Sequence, residues 1–212
     1  INADGGVVQL TAEAAKYSVD NVINMTGVIN ARGVSAGQNG KVILKAKGGK
    51  ANINIGSNDA IGAINTARAK SGIIDVSNKF GQGGEINISG GAVSLQGNAR
   101  LNADGTTGGG KIYLTANGLP GPITSSKSPS GIYIAEGAWL TADAKTSGAG
   151  GTIHLNTNNK IISNGSYSAR GFMAAGPTGL VWLQALEGIV YRGFADLSGQ
   201  VAGALTGNLR LE

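Results

Sequence analysis

The chain has 212 residues, of which 37 are glycine, 14% are charged and none is cysteine, and its formal net charge is +5. With one histidine and no cysteine, disulfides, zinc–thiolate sites and cysteine nucleophiles are excluded, and we predict no metal site and no cofactor. Abundant glycine and β-branched residues disfavour helix, the glycines lack the period of three that collagen requires, and no apolar run is long enough to span a bilayer.

A six-residue unit recurs along the chain, beginning with GGVVQL at residues 5–10. Small or polar residues are followed by an aliphatic residue, an outward position and a second aliphatic residue. The spacing of the copies is uneven, which predicts a fixed unit with surface loop insertions near residues 56–71 and 117–130. The later copies are NGKVIL (39–44), GGEINI (83–88), GGKIYL (109–114), GGTIHL (150–155), TGLVWL (178–183) and TGNLRL (206–211).

Two further short patterns lie between successive copies. A short apolar stretch, such as VSL (93–95) or IYI (132–134), is followed by an aliphatic, polar, small, polar pattern, such as LNAD (101–104) or LTAD (140–143). Three short strands per unit with glycine-rich corners predict a solenoid, in which each strand pairs with its equivalent in the next coil about 4.8 Å away. We therefore predict an all-β parallel β-helix of about six to seven coils, forming one domain over residues 1–212. Because the final LRLE begins a further coil, we expect the chain to be a fragment of a longer rod.

These units resemble the β-helical repeats of filamentous-haemagglutinin-like exoproteins, the large secreted adhesins of bacterial two-partner secretion. The resemblance covers nearly the whole chain and is carried by residues 83–118 and by GGTIHL (150–155). The secretion domain of that family is marked by Asn-Pro-Asn motifs; the absence of any Asn-Pro dipeptide here indicates the rod instead. The resemblance, together with the usual hand of parallel crossovers, implies a right-handed helix.

The same resemblance implies a location and a set of partners. It implies export through an outer-membrane transporter, an extracellular location at the cell surface, and adhesion to host or bacterial surface glycans or proteins. It leaves open whether the rods also associate side by side or end to end.

One predicted outward column on the repeated strand contains three aromatic residues. Alternation along the strand points Ile153 and Leu155 inward and His154 outward. Stacking then makes Tyr113, His154 and Trp182 neighbours on successive rungs, and we predict that this ladder contacts a ligand or partner. The alternative is that the side chains only stack on each other or lie under flanking chain. The full column is Gln9, Ile43, Asn87, Tyr113, His154, Trp182 and Arg210.

A second outward column, at the end of the LNAD-type strand, contains Arg32, Ser77, Asp104, Asp143 and Arg170. Stacked Asp104 and Asp143 beside Arg170 would suit a polysaccharide-cleaving β-helix enzyme, and like charges one rung apart would raise one pKa or recruit a cation. The alternative that we favour is a solvated surface in which Arg170 balances Asp143. We accordingly predict that the protein is not an enzyme.

The third candidate is a basic strip in the second repeat. Lys41, Lys45 and Lys47 share parity along one strand, so we predict that all three point outward. Such a strip can attract sulfated glycans or lipopolysaccharide. Nucleic acid is disfavoured because no aromatic residues interleave with the lysines. The alternative is that the lysines only provide solubility.

Overall fold

A computed structural model describes residues 1–13, 21–48, 51–57, 71–118, 131–172, 179–201 and 206–212. Within these ranges the chain forms nineteen β-strands and no helix, and accordingly no helix that could cross a membrane. Most of the two predicted loop insertions, 56–71 and 117–130, lies outside the described residues.

The strands follow one another in triplets, one triplet to each coil. The first two coils are β1 (Val7–Glu13), β2 (Asn21–Met25), β3 (Val28–Asn30), then β4 (Lys41–Lys47), β5 (Asn52–Ile55), β6 (Ile73–Asp75). The next two are β7 (Glu85–Gly90), β8 (Ala92–Leu95), β9 (Arg100–Asn102), then β10 (Lys111–Ala116), β11 (Gly131–Ile134), β12 (Trp139–Thr141). The last are β13 (Thr152–Thr157), β14 (Lys160–Ser163), β15 (Ser166–Ser168), then β16 (Leu180–Ala185), β17 (Gly188–Tyr191), β18 (Phe194–Asp196), and finally β19 (Asn208–Leu211).

Each strand pairs in parallel with its equivalents one coil before and one coil after. The first sheet is ordered β1-β4-β7-β10-β13-β16-β19, the second β2-β5-β8-β11-β14-β17 and the third β3-β6-β9-β12-β15-β18. The described chain is thus a parallel β-helix solenoid of six complete coils and one strand of a seventh. This topology confirms the predicted fold class, with three strands per coil.

The core is a set of aliphatic columns between the three sheets. Ile153 and Leu155 are completely buried, as the alternation along their strand predicts. Burying such a side chain contributes about 1.5–3 kcal/mol relative to leaving it in water, and stacking repeats that gain on every rung. The two inward columns of the first sheet are Val42, Ile86, Ile112, Ile153, Val181 and Leu44, Ile88, Leu114, Leu155, Leu183.

Glycine pairs form the corner that leads into the first sheet, because the backbone of the third sheet passes very close to them. A Cβ atom on Gly109 would lie 1.9 Å from the carbonyl oxygen of Ala142. The corners also pack closely on each other, since a Cβ on Gly151 would lie 2.1 Å from the carbonyl oxygen of Gly110, its equivalent one rung earlier. The corner therefore excludes side chains and leaves a hollow on the outside of the rod.

Candidate binding surface

The predicted aromatic ladder is in register on the outer face of the first sheet. Tyr113 pairs with Asn87 on one side and with His154 on the other, and His154 pairs with Trp182. Arg210, in β19, occupies the next rung beyond Trp182. The side chains that the sequence places together are therefore neighbours in the structure.

The face of the Trp182 ring is covered by its neighbours in the ladder. His154 and Trp182 are stacked, with ring centroids 4.3 Å apart and planes 12° from parallel. The guanidinium of Arg210 lies 5.2 Å from the centroid of the Trp182 ring, on the rung that follows. Trp182 thus has a partner on both faces, which leaves only the ring edge for a ligand. Tyr113 meets His154 at 81°, with centroids 6.3 Å apart, and does not continue the stack.

Two nitrogen atoms of the ladder are buried. Nε2 of His154 and Nε1 of Trp182 have no hydrogen-bond partner among the described residues. Burial lowers the pKa of His154, and a hydrogen bond with Gln184 opposes that effect without cancelling it. His154 is therefore neutral at pH 7, which suits a packed stack more than a proton-transfer site.

A groove runs along the glycine corner beside the ladder. It consists of three adjoining hollows of about 240, 240 and 540 Å³, and each shares lining residues with the next. The outer wall is formed by the first outward side chains of the first sheet. These are Lys41, Glu85, Lys111, Thr152, Leu180 and Asn208.

The basic strip points outward along β4, as predicted, but acidic residues on neighbouring rungs interrupt it. Nζ of Lys41 lies 2.9 Å from a carboxylate oxygen of Glu85, and Nζ of Lys47 lies 4.0 Å from one of Glu13. Burial alone would raise the pKa of Glu85, but hydrogen bonds from Lys41 and Asn87 lower it below its usual value. Lys45, between the two pairs, is exposed.

The carboxylate column differs from the prediction, because Asp143 is only 1% exposed. Its Oδ1 accepts hydrogen bonds from Oγ of Ser168 at 2.6 Å and from the backbone N–H of Arg170 at 2.9 Å. Its Oδ2 accepts bonds from Nη2 and Nε of Arg170, at 2.6 and 3.0 Å, and from Nζ of Lys145 at 3.1 Å. The predicted pairing with Arg170 is present, but the predicted solvated surface is wrong, since flanking side chains cover the carboxylate.

Lys145, which the sequence pattern did not single out, joins the two carboxylates. Its Nζ lies 2.9 Å from Oδ2 of Asp104 and 3.1 Å from Oδ2 of Asp143. Burial raises the pKa of Asp143, but the hydrogen bonds from Arg170 and Ser168 and the charge of Lys145 outweigh burial and hold that pKa below its usual value. The expectation that stacking would raise the pKa is therefore wrong for Asp143. Alternation along the chain could have indicated this contact, because Lys145 lies two residues after Asp143 and so points to the same side.

The carboxylates and amides near this corner satisfy backbone donors where the strand pairing of the third sheet ends. In all six coils, the N–H of the corner residue donates to an Asp or Asn side chain. Three acceptors lie two residues earlier in the same coil: Asp75 for Ser77, Asn102 for Asp104 and Asp196 for Ser198. The other three lie in the preceding coil: Asp4 for Arg32, Asp104 for Asp143 and Asp143 for Arg170.

A further surface, on the third sheet, was not found from the sequence pattern. The first outward position of each strand forms a column in which Trp139 is 40% exposed and Phe194 is 62% exposed. The sequence feature that could have indicated this surface is a large apolar residue at an outward position just before the LTAD-type pattern. The column is Val28, Ile73, Arg100, Trp139, Ser166 and Phe194.

Among the described residues there is no cluster of three or more histidine or acidic side chains that could hold a metal ion. The resemblance to filamentous-haemagglutinin repeats stays a prediction from the sequence motifs. Comparison of the chain with protein-family models, with curated proteins and with solved structures finds no match.

Proposed function

We propose that this chain is a rod segment of a secreted, cell-surface bacterial adhesin, which binds surface glycans or proteins and catalyses no reaction. The observation that carries the proposal is the in-register stacking of six coils, which aligns outward side chains along the rod. Each rung repeats after about 4.8 Å, so the rod presents matched positions to an extended or repeating partner. Three such features supply the contacts: the edges of the ladder, the groove beside it, and Lys45.

The competing function is polysaccharide cleavage by Asp104, Asp143 and Arg170. A general acid in such an enzyme needs a raised pKa and access to the glycosidic oxygen. Asp143 instead accepts five hydrogen bonds, is buried, and has a lowered pKa. These contacts support a structural role for the carboxylate.

The location and the route of export complete the proposal. From the repeat resemblance, the rod leaves the cell through an outer-membrane transporter and remains associated with the cell surface. Association of rods with each other, laterally or end to end, is compatible with this function.

The test is a panel of immobilised glycans and matrix proteins, read for binding by biolayer interferometry and for product release by chromatography. We expect binding without product release, and a weaker signal for Lys45→Ala or Trp182→Ala. Asp143→Asn is the matched comparison for the competing function. Turnover of a polysaccharide that this substitution abolishes would overturn the proposal, as would a complete lack of binding across the panel.

A further inference from the structure

The third sheet presents two exposed aromatic rings at a fixed separation along the rod. Trp139 pairs with Ser166, and Ser166 pairs with Phe194. Two rungs of strand pairing separate the backbone positions of Trp139 and Phe194 by roughly 9.6 Å. The residue between them is a serine, whose side chain is small.

This arrangement differs from the ladder on the first sheet. Trp182 is covered on one face by His154 and on the other by Arg210, whereas Trp139 and Phe194 contact no other ring in the described part of the chain. Trp139 stays 40% exposed although the chain supplies a neighbour on both of its sides, Arg100 and Ser166. An exposed aromatic side chain that no other ring covers is available to an apolar surface of a ligand.

Polar side chains run parallel to the aromatic column, two residues further along the same strands. Asn102 and Thr141 are half-buried and bonded to each other, Oγ1 of Thr141 donating to Oδ1 of Asn102 at 3.2 Å. Asp196 stands in the same position beside Phe194. The strip therefore offers flat apolar rings next to hydrogen-bonding groups.

We infer that the strip formed by Trp139, Ser166 and Phe194 binds a neutral, extended, β-linked glycan chain lying along the rod axis. A sugar has an apolar C–H face that packs on an aromatic ring and hydroxyl edges that need polar partners. The two-rung spacing of Trp139 and Phe194 along the rod matches two sugar residues in an extended chain, so alternate sugars sit on Trp139 and Phe194 and the sugar between them lies over Ser166.

The strip itself is uncharged, which suits a neutral chain. Trp139, Ser166 and Phe194 carry no charge, and the carboxylate of Asp196 beside Phe194 lies 3.8 Å from Nε of Arg170, which offsets its charge. This inference rests on the proposed function, because it names a ligand and locates one binding surface of the proposed adhesin. It goes beyond that function by placing the glycan on the third sheet, away from the ladder and the lysine strip.

The experiment uses the full chain with Trp182→Phe, which leaves Trp139 as the sole tryptophan. Cellohexaose is titrated while Trp139 fluorescence and the heat of binding are followed. Maltohexaose, which has the same sugar but a coiled chain, and glucose are the matched ligands. We expect cellohexaose to shift the Trp139 emission and bind, and the other two to bind at least about tenfold more weakly.

Substitutions then test the two rings. Trp139→Ala and Phe194→Ala should each weaken cellohexaose binding at least about tenfold, while Trp139→Phe keeps a ring and retains most of the affinity. Phe80→Ala removes an exposed ring elsewhere on the rod and should change nothing. Because these side chains point outward, circular dichroism should show all variants folded.

Three results would overturn the inference. One is equal affinity for cellohexaose and maltohexaose, and another is cellohexaose binding that survives both alanine substitutions. The third is absence of cellohexaose binding, including the case in which sedimentation shows a dimer that Trp139→Ala dissociates. If other glycans then bind through the ladder or Lys45, the proposed function stands and only this inference fails; if nothing binds, both fail.

Discussion

The chemistry of single side chains in this rod depends on what stands one rung above and one rung below. Asp143 and Asp4 make the same contacts with an arginine of the next coil, through the backbone N–H and the guanidinium. They differ in their surroundings, because Asp143 is buried and Asp4 is exposed to solvent. Asp143 also accepts hydrogen bonds from Ser168 and Lys145, which have no counterpart at Asp4. The pair therefore compares a buried carboxylate network with an exposed ion pair.

Asp143→Asn should lower the free energy of unfolding by about 2–3 kcal/mol, because it breaks a buried charge network and leaves a buried amide in place of an oxygen acceptor. Urea denaturation followed by circular dichroism measures the change. Asp4→Asn is the control and should have a much smaller effect, since water replaces the lost contacts. Equal losses for the two variants would contradict the structural role given to the buried network at Asp143.

His154 should make stability depend on pH. Its pKa is lower in the folded chain than the value of about 6.5 expected when the chain is unfolded, so the unfolded chain takes up a proton first as the pH falls. The thermal midpoint should therefore decrease as the pH falls from about 7 into the range below about 6.5. His154→Gln, which places here the residue type of the first coil, should remove that decrease.

Because the chain has one histidine, proton NMR follows its titration without assignment. A titration midpoint at or above the ordinary histidine value would contradict the buried, stacked position of the ring. So would a His154→Gln variant with an unchanged pH profile.

At the residue scale, alternation along the strands predicted which outward side chains lie next to each other, but not which of them are covered by other side chains. It correctly placed Tyr113, His154 and Trp182 on adjacent rungs. It placed Asp143 outward, yet Arg170 and Lys145 cover that carboxylate. Alternation reports the side of the strand on which a residue lies, and it carries no information on which long side chains lie over it.

The elements owe their arrangement to the corners as much as to the strands. The strands of the third sheet have only three residues each, so little pairing energy fixes their ends. The glycine corners and the Asp or Asn acceptors fix these ends instead. The GG and LNAD motifs thus repeat because each coil needs the same backbone contacts at its corners. This is why these motifs predicted the fold.

Gly109→Ala should destabilise the protein by at least about 3 kcal/mol, because the new Cβ would lie 1.9 Å from a backbone oxygen of Ala142. Gly27→Ala is the matched control, since a Cβ at Gly27 meets nothing within 4 Å. It should leave stability unchanged or raise it by about 0.4–1 kcal/mol. Chemical denaturation of the two variants checks both values, and a tolerated Gly109→Ala would contradict the close approach at the corner.

The described part of the molecule is an array along one axis, in which every strand pairs with its equivalents in the adjacent coils. The order of strands in all three sheets follows the order of the coils. This regularity made the fold predictable from internal repetition. The position of the third-sheet strip was not predicted, because Trp139 and Phe194 occupy a slot filled elsewhere by valine, isoleucine, arginine and serine and show no pattern until the coils are stacked.

Removing one complete coil should preserve the fold. Lys111 pairs with Thr152, so a deletion of residues 111–151 joins Gly110 to a strand that already has the required register. The variant should unfold cooperatively at a moderately lower temperature and give a rod about 4.8 Å shorter by small-angle scattering. A deletion of residues 111–134 brings a third-sheet strand into the first sheet and should abolish folding; survival of both variants would contradict the register.

The central claim is that the outward columns of a non-catalytic rod bind a surface, and cell adhesion tests it most directly. Beads coated with the chain are compared with beads coated with a variant in which Lys45, Trp139, His154, Trp182 and Phe194 are replaced by serine, after both proteins are shown to be folded. We predict that the unmodified beads adhere to bacterial or epithelial cells and that the variant reduces adhesion at least about tenfold. Equal adhesion of the two kinds of bead, or no adhesion together with release of sugars from cell-surface polysaccharide, would contradict the claim.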